Sequence, residues 1–149
     1  MRPAPETTYR NFTSDDIESV VDIESGAFPK GWELPAFERY LADPRALCRL
    51  AIGSAGIVAF AISLIEGTTL HICNLAVRKD LRKRGLGIGL LGDVLLQARQ
   101  LGLTRAELEV QTTNLSAINL YRRGGFRVER LLPGYYEGHD GFSMARDVR

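Results

Sequence analysis

The chain has 149 residues, of which 45% are hydrophobic and 25% are charged, so it can bury a core and wholesale disorder is excluded. Lysine and arginine number 19 against 18 aspartates and glutamates, and the net charge of +1 disfavours a strongly basic nucleic-acid-binding protein. No apolar run reaches the ~18 residues that a membrane-spanning helix needs, so we expect neither nucleic acid nor a membrane as a partner.

The two cysteines, Cys48 and Cys73, share no metal-binding spacing, which excludes a disulfide framework and a structural zinc site. No cluster of histidine, cysteine and carboxylate residues has the spacing of metal ligands, and no metal is expected. Two buried thiols in a reducing cytoplasm are the simplest interpretation. The length predicts a single domain over residues 1–149, in which residues 1–6 form a flexible leader.

The first half of the chain predicts a strand, two helices and then three strands. Polar residues supply N-cap oxygens to the first helix, whose apolar stripe is imperfect because it includes Glu24. Short turns between the last three strands predict antiparallel pairing. The elements are a strand at 9–12, a helix after 13–16 with the pattern Ile17, Val20, Val21 and Glu24, a helix at 34–42, and strands at 46–52, 57–65 and 69–77.

The second half predicts a charged loop, two helices and three further strands. The elements are a loop at 78–84, a helix from the glycine-rich residues 85–89 to about 101, a strand at 104–112, a helix at 114–123, a strand at 126–132, a loop at 133–141 and a strand at 142–148. This order predicts a mixed α/β fold in which an antiparallel meander is followed by one βαβ crossover.

The strand at 104–112 alternates between apolar and polar residues. Ala106, Leu108 and Val110 fall on one face, whereas Glu107 and Glu109 fall on the other. Either carboxylate could serve as a base beside a site, and the periodicity alone does not choose between them.

The strongest local motif is the basic, glycine-rich segment around residue 85. Five of the seven residues at 78–84 are basic, and Gly85-Leu86-Gly87 follows at the start of a helix. Backbone N–H groups and the positive end of a helix dipole bind anions, so a pyrophosphate is the natural ligand. The alternative is a solvated basic loop that merely precedes the helix.

A dinucleotide-binding interpretation is weaker. Residues 87–92 match GxGxxG, and Glu107 lies twenty residues after Gly87. However, a long charged loop separates the glycines from the preceding strand, and only one βαβ unit is available. The chain also lacks the Gly-Lys-Ser or Gly-Lys-Thr of a Walker A loop.

Three segments together resemble the GNAT N-acetyltransferases. Residues 82–87 (RKRGLG) resemble the pyrophosphate loop of that family, 70–77 (LHICNLAV) its splayed strand, and 114–121 (NLSAINLY) with Gly125-Phe126 its later helix. The resemblance implies an α/β (α+β) GNAT fold, with a mixed, mostly antiparallel sheet, helices on both faces and a V-shaped splay between the central strands. Acetyl-CoA is then the implied acetyl donor.

Within the family, the chain is most similar to protein N-terminal acetyltransferases, both the bacterial ribosomal-protein alanine (RimI-like) group and the archaeal enzymes. The similarity lies in Leu108-Glu109-Val110, in Ala27-Phe28-Pro29 and in the segment 134–138 (GYYEG). Gln111, Thr113 and Gly141 depart from the residues that are common in this group. These departures bear on peptide specificity more than on the chemistry.

The resemblance also implies a set of site residues. The implied cofactor-binding residues are Leu75, Ala76, Val77, Arg82, Lys83, Arg84, Gly85, Leu86, Gly87, Ile88, Asn114 and Tyr121. The implied substrate-binding residues are Phe28, Tyr135 and Tyr136. Asn114 would bind the cofactor arm or merely cap its helix, and a backbone N–H near Val77 would polarise the thioester oxygen.

For catalysis, the resemblance selects Glu109 as the general base and Tyr121 as the general acid. A phenol with a pKa of about 10 can donate a proton to a departing thiolate. An α-amine is roughly a tenth neutral at pH 7, whereas a lysine amine is neutral below about 0.1%, so an N-terminal acceptor asks less of the base. His71 and His139 receive no role.

The expected function is therefore direct, acetyl-CoA-dependent transfer of an acetyl group to the N-terminal α-amine of a protein or peptide. Two alternatives remain open from the sequence. One is a GNAT enzyme that acetylates a small-molecule amine, which a strongly acidic acceptor pocket would favour. The other is a non-catalytic CoA-binding module, in which Glu109 and Tyr121 would be dispensable.

Overall fold

A seven-stranded mixed sheet organises the chain, which a computed structural model describes over residues 6–149. The expected leader therefore lies, except for Glu6, outside the described residues. The strands follow one another across the sheet in the order β1-β2-β3-β4-β5-β7-β6. They are β1 (Thr8–Asn11), β2 (Ala46–Gly53), β3 (Gly56–Glu66), β4 (Thr69–Val77), β5 (Arg105–Gln111), β6 (Arg127–Tyr136) and β7 (His139–Asp147).

Within residues 6–149, four helices cover the two faces of the sheet. They are α1 (Ile17–Ala27), α2 (Leu34–Ala42), α3 (Leu86–Gln100) and α4 (Leu115–Arg123). Short 3₁₀ turns at Ser14–Asp16 and Lys79–Leu81 precede α1 and α3. None of these helices is both long and apolar enough to cross a membrane, as far as residues 6–149 are concerned.

The core is divided between the two faces of the sheet. Phe60 and Ile62 of β3 pack with α1 and α2 on one face, whereas Ala59 and Ala61 of the same strand pack with α3 on the other. This two-sided burial explains why β3 is a continuous apolar run. In β5 only Ala106, Leu108 and Val110 are buried, as the alternation predicts.

The one parallel pairing of the sheet creates the predicted splay. Helix α3 connects β4 to β5, and these two strands pair in parallel only where Thr69–His71 meets Arg105–Glu107. Beyond that point the two strands separate, while all other pairings are antiparallel. The mixed, mostly antiparallel α/β fold expected from the sequence is therefore confirmed.

A β-bulge lies on β4 next to the splay. Asn74 pairs with Ile62 of β3 and Ile72 pairs with Ser63, so Cys73 is the extra residue. A bulge re-aims the side chains that follow it. Cys73 and Asn74 consequently both stay half-buried, between the buried Ile72 and Leu75.

The predicted loop at 133–141 is wrong in extent. Strand β6 continues to Tyr136 and β7 begins at His139, so only Glu137 and Gly138 form the turn. Pro133 is tolerated because β6 is an edge strand, where a missing backbone N–H breaks no pairing. The pairing with β7 shifts between Leu132 and Tyr136, which leaves the intervening residues as a bulge.

Candidate active site

A cleft of about 580 Å³ opens where β4 and β5 separate. It lies between the end of β4, the start of α3 and one face of α4, within the range typical of small-molecule and cofactor sites. We call it the cofactor cleft. Its lining residues are Ala27, Phe28, Leu75, Ala76, Val77, Leu81, Arg82, Lys83, Gly85, Leu86, Gly87, Ile88, Asn114, Ser116, Ala117, Asn119, Leu120 and Arg123.

The start of α3 offers unpaired backbone donors to this cleft. Gly85 is the N-cap in a left-handed conformation with φ of +78°, and it supplies no side-chain oxygen to cap the helix. The N–H groups of the first turn therefore have no partner within the helix. Together with Arg82, Lys83 and the helix dipole they form a donor set suited to a pyrophosphate.

The end of β4 offers a second set of free backbone groups. β3 pairs with one edge of this strand as far as Val77. On the other edge the pairing with β5 stops at His71, so the later residues lack a strand partner among residues 6–149. Such an edge can bind an extended chain with alternating N–H and C=O groups, as an added strand would. It suits the amide-containing pantetheine arm of acetyl-CoA.

The structure brings most of the predicted cofactor residues together in this one cleft. Arg84 and Tyr121 are the two predicted members that do not line it, and Phe28, predicted on the acceptor side, lies in its wall. Five lining residues of α4 were missed by the sequence reasoning. They share one face of the helix, and their three- and four-residue spacing was the available signal: Ser116, Ala117, Asn119, Leu120 and Arg123.

The position of Asn114 is compatible with both of its suggested roles, capping α4 and binding the cofactor arm. Its side-chain oxygen accepts a hydrogen bond from Ala117 N at 3.2 Å and so caps α4. The same residue lines the cofactor cleft, and its NH₂ group has no partner within the described chain. Capping fixes the amide so that a donor remains for the cofactor arm.

On the opposite side of the splay, Glu109 is the centre of a polar cluster. Its Oε1 lies 2.7 Å from His71 Nε2 and accepts a longer bond of 3.4 Å from Tyr135 Oη. The His71 and Glu109 side chains are 25% and 22% exposed, so solvent screens them only partly. We call His71, Cys73, Glu109, Tyr135 and Tyr136 the acceptor cluster.

The two carboxylates of β5 have different surroundings, which the alternation could not reveal. Glu107 is paired with Arg105 of its own strand at 3.3 Å. Glu109 instead contacts a histidine and a phenol, both of which can exchange protons. The geometry therefore distinguishes Glu109 as the residue suited to proton transfer.

His71 is the functional candidate that sequence reasoning passed over. The Cys73 side chain and the Glu109 carboxylate raise the pKa of His71 to about 9, against the opposing effect of burial. At neutral pH the ring is consequently protonated and donates to Glu109. A single histidine has no sequence pattern, and only the pairing of β4 with β5 brings it to Glu109.

We expect the His71 ring to titrate near pH 9 in an NMR titration, and Glu109→Gln to move its pKa towards ~6.5. The chain has two histidines, so a His139→Gln variant assigns the signals. The raised pKa also stabilises the fold fully below pH ~6.5, and this stabilisation is lost as the pH rises through about 9. A His71 midpoint that Glu109→Gln does not shift would contradict the pair.

The β6–β7 hairpin carries Tyr135 and Tyr136 over the cluster. Their rings meet edge to face with centroids 5.0 Å apart. Burial, the phenol of Tyr135 and the charge of Glu109 raise the pKa of Tyr136 to about 12. The Tyr136 ring explains why glycine stands at position 141, where related sequences commonly have another residue. A Cβ on Gly141 would lie only 3.0 Å from that ring.

Tyr121 lies between the cofactor cleft and the acceptor cluster. It is one turn beyond Ala117, which lines the cleft, and its ring packs on Phe126 with centroids 5.8 Å apart. Only 8% of the residue is exposed, and its hydroxyl makes no hydrogen bond within residues 6–149. Burial and the neighbouring Tyr136 raise the pKa of Tyr121, so it keeps its proton at neutral pH.

Metal ligation has no basis in the side chains that the structure describes. Within residues 6–149, no three histidine, cysteine, aspartate or glutamate residues lie together as a potential metal site. The proton-exchanging side chains that the structure places at the splay are the Glu109 carboxylate, the His71 ring and three phenols, beside the donor-rich anion site.

Comparison with known proteins agrees with this geometry. A sequence profile described as the acetyltransferase (GNAT) family matches residues 17–126. An N-alpha-acetyltransferase of Sulfurisphaera tokodaii is 27% identical over 154 aligned positions, which cover 94% of this chain and 92% of that protein. The ribosomal protein bS18 alanine N-acetyltransferase of Escherichia coli is 29% identical over 134, with 90% of each chain covered.

The solved structures include a similar fold. The crystal structure of the Escherichia coli ribosomal-protein-S18-alanine N-acetyltransferase superposes with a TM-score of 0.89 at 26% identity. The superposition covers 96% of this chain and 94% of that one. The matched segment thus extends across the sheet, the cofactor cleft and the acceptor cluster.

Proposed function

Because the chain belongs to the acetyltransferase (GNAT) family, we propose that it transfers an acetyl group from acetyl-CoA to the N-terminal α-amine of a protein or peptide. The observation that carries the proposal is the contact of Glu109 with both His71 and Tyr135 beside the cofactor cleft. This contact supports the proposal because it joins a base to an aromatic hairpin, a combination suited to an acceptor chain. Relatives named N-alpha-acetyltransferase and ribosomal-protein alanine acetyltransferase support the choice of acceptor.

The cofactor cleft is proposed to bind acetyl-CoA, which supplies an activated acetyl thioester. Gly85, Leu86, Gly87 and Ile88 would donate backbone N–H groups to the pyrophosphate, and Arg82 and Lys83 would add charge. The free edge of β4 would hold the pantetheine amides, and an N–H near Val77 would stabilise negative charge on the thioester oxygen.

Glu109 and Tyr121 are proposed to move the two protons. Glu109 would accept a proton from the ammonium form of the acceptor, and the neutral nitrogen would then bond to the acetyl carbon. As the carbon–sulfur bond breaks, Tyr121 would donate its proton to the departing sulfur, and the nitrogen would release its second proton to water to leave the amide. Glu109 then gives its proton to solvent and Tyr121 regains one, so the reaction releases one proton overall and both residues are restored.

His71 is proposed to orient Glu109 rather than to act alone. Its raised pKa keeps a proton on the ring at neutral pH, and this proton binds Oε1 of the carboxylate. The other oxygen, Oε2, has no partner within residues 6–149 and remains available to the acceptor amine. Tyr135 and Tyr136 would contact the first residues of the acceptor peptide.

We further propose that the chain is one catalytic domain and that it works in the cytoplasm, where the free thiols of Cys48 and Cys73 would stay reduced. A small polyamine is a less suitable acceptor, because Glu109 is the only acidic member of the acceptor cluster.

The acceptor class is tested with acetyl-CoA and three acceptors at equal concentration. They are a peptide with a free N-terminus, the same peptide with a blocked N-terminus and an internal lysine, and a polyamine. We expect the free α-amine to react at least ~10-fold faster than either competitor. Faster reaction of the polyamine would support the small-amine alternative, and no transfer to any acceptor would support the non-catalytic one.

A further inference from the structure

Glu24 is a buried carboxylate that has no role in the proposed acetyl transfer by Glu109 and Tyr121. The residue is 1% exposed, within the apolar face of α1. No lysine, arginine or histidine forms an ion pair with it in the chain from residue 6 onward. A buried charge without a counter-ion is costly, and an apolar side chain of similar size would usually be more stable. A role in the site would explain why a carboxylate stands here.

Glu24 anchors both ends of the segment that joins α1 to α2. Its backbone oxygen accepts from Phe28 N at 3.0 Å, and its carboxylate Oε2 accepts from Trp32 N at 2.8 Å. The segment wraps closely around the carboxylate, because a Cβ on Gly31 would lie 2.7 Å from Glu24 Cγ. We call residues 28–32 the α1–α2 loop.

This loop lines the cofactor cleft at its start and is connected to the acceptor cluster at its end through Tyr40 of α2. Phe28, at its start, lines the cofactor cleft. Trp32, at its end, stacks on Tyr40 with ring centroids 4.9 Å apart and planes 6° from parallel. Burial and the Cys73 side chain of the acceptor cluster raise the pKa of Tyr40, so Tyr40 stands between Trp32 and that cluster.

The same carboxylate also fixes Asn74 on β4. Asn74 Nδ2 donates to both oxygens of Glu24 at 3.0 Å. Since a carboxylate can only accept, the amide must turn its NH₂ group towards Glu24 and its Oδ1 away. Asn74 follows the bulge at Cys73 and precedes Leu75 in the wall of the cofactor cleft.

We propose that Glu24 is a positioning residue for acetyl transfer, holding the α1–α2 loop and Asn74 in one arrangement that sets the acceptor against the cofactor arm. This inference rests on the proposed function. Glu24 acts through Trp32 and Asn74, and it does not itself exchange a proton with the acceptor. We call Glu24, Trp32 N and Asn74 Nδ2 the clasp.

The donor and acceptor chemistry of the clasp permits an exchange test. In Glu24→Gln one carboxylate oxygen becomes an NH₂ group that faces the NH₂ of Asn74. In Asn74→Asp two carboxylates face each other instead. The double variant E24Q/N74D reverses donor and acceptor between positions 24 and 74, and it keeps an amide oxygen at position 24 that can accept from Trp32 N. The heavy-atom shape and the single negative charge are preserved. Glu18→Gln, on the exposed side of α1, is the matched control.

We expect Glu24→Gln to raise the KM of the peptide at least ~5-fold while the KM of acetyl-CoA stays within about 2-fold. The double variant should return the peptide KM to within about 2-fold of the unmodified protein, because the clasp is complementary again. The pH profile of kcat should keep its shape, which loss of a catalytic base would change. Glu18→Gln should change none of these values.

Trp32 is the only tryptophan in the chain, so its fluorescence reports on the α1–α2 loop without any assay of activity. We expect acrylamide to quench the fluorescence of Trp32 about 2-fold more strongly in Glu24→Gln than in the unmodified protein. In E24Q/N74D the quenching should return to about the level of the unmodified protein. If Glu24→Gln fails to fold, the double variant decides alone, because the clasp requires it to fold and to acetylate.

An unchanged peptide KM in Glu24→Gln would overturn the proposal. A peptide KM in E24Q/N74D that is as high as in the worse of the two single variants would also overturn it. A parallel rise of both KM values would indicate a merely structural role and would also overturn it. If the unmodified protein acetylates only a small amine, the proposed function fails, and the KM of that amine replaces the peptide KM in the same test.

Discussion

Replacing Tyr121 with phenylalanine is expected to lower kcat by about 10²-fold or more, the usual range for loss of a general acid. The change removes one oxygen and leaves the ring packed on Phe126. Burial keeps the phenol protonated at neutral pH, so a proton is present when the carbon–sulfur bond breaks. The measurement is kcat at saturating acetyl-CoA and peptide.

Because the pKa of Tyr121 is raised, its strength as a proton donor differs from that of a free phenol with a pKa of about 10. A phenol with a pKa above 10 is a weaker donor to a thiolate in water. In the proposed mechanism, however, the departing thiolate would form in the same buried surroundings. Burial raises thiol pKa values as well, as it does to about 11 for Cys48 of this chain. The proposed acid and the leaving group would therefore remain matched.

Tyr9→Phe is the matched control for this prediction. The Tyr9 phenol also has a pKa raised by burial, but it contacts α3 near Gly89 and Asp93, away from the acceptor cluster. We expect Tyr9→Phe to keep kcat within about 2-fold. A Tyr121→Phe variant that also stays within about 3-fold would remove Tyr121 from the mechanism.

The second large effect is expected from Glu109→Gln, which should lower kcat/KM by about 10²-fold at pH 7. Glutamine keeps the size of the side chain and can still accept a hydrogen bond from His71. The loss of kcat/KM therefore measures the contribution of the carboxylate as a base. Glu107→Gln, on the same face of β5, is the matched control because Arg105 already holds that carboxylate. We expect the control to stay within about 3-fold.

The loss in Glu109→Gln should shrink as the pH rises. An α-amine with a pKa of about 8 is mostly neutral by pH ~9, and the reaction then depends less on the base. Initial rates of both variants between pH 6 and about 9 would show this convergence. A loss in Glu107→Gln as large as in Glu109→Gln would mean that the two carboxylates share the role.

The cofactor side of the site was predictable from sequence because its determinants are local. The basic residues at 82–84, the glycines at 85 and 87 and the start of α3 are contiguous, so their arrangement follows from the backbone itself. The one face of α4 that lines the cleft could also have been found from helical spacing.

The acceptor side was only partly predictable because its contacts are long-range. His71 and Glu109 are 38 positions apart, and they meet through three paired residues of β4 and β5. Glu24 stood in the predicted apolar stripe of α1, which was a signal for a buried polar group. Its partner Asn74, 50 residues away, could not be identified without the bulge on β4.

Transfer to an N-terminal α-amine is tested directly by tandem mass spectrometry on one peptide that has both a free α-amine and an internal lysine. The peptide is incubated with the protein and acetyl-CoA, and fragment ions locate the added acetyl group. We expect acetylation at the N-terminal nitrogen, because Glu109 need remove a proton only from an amine with a pKa of about 8. Acetylation confined to the lysine side chain would contradict it.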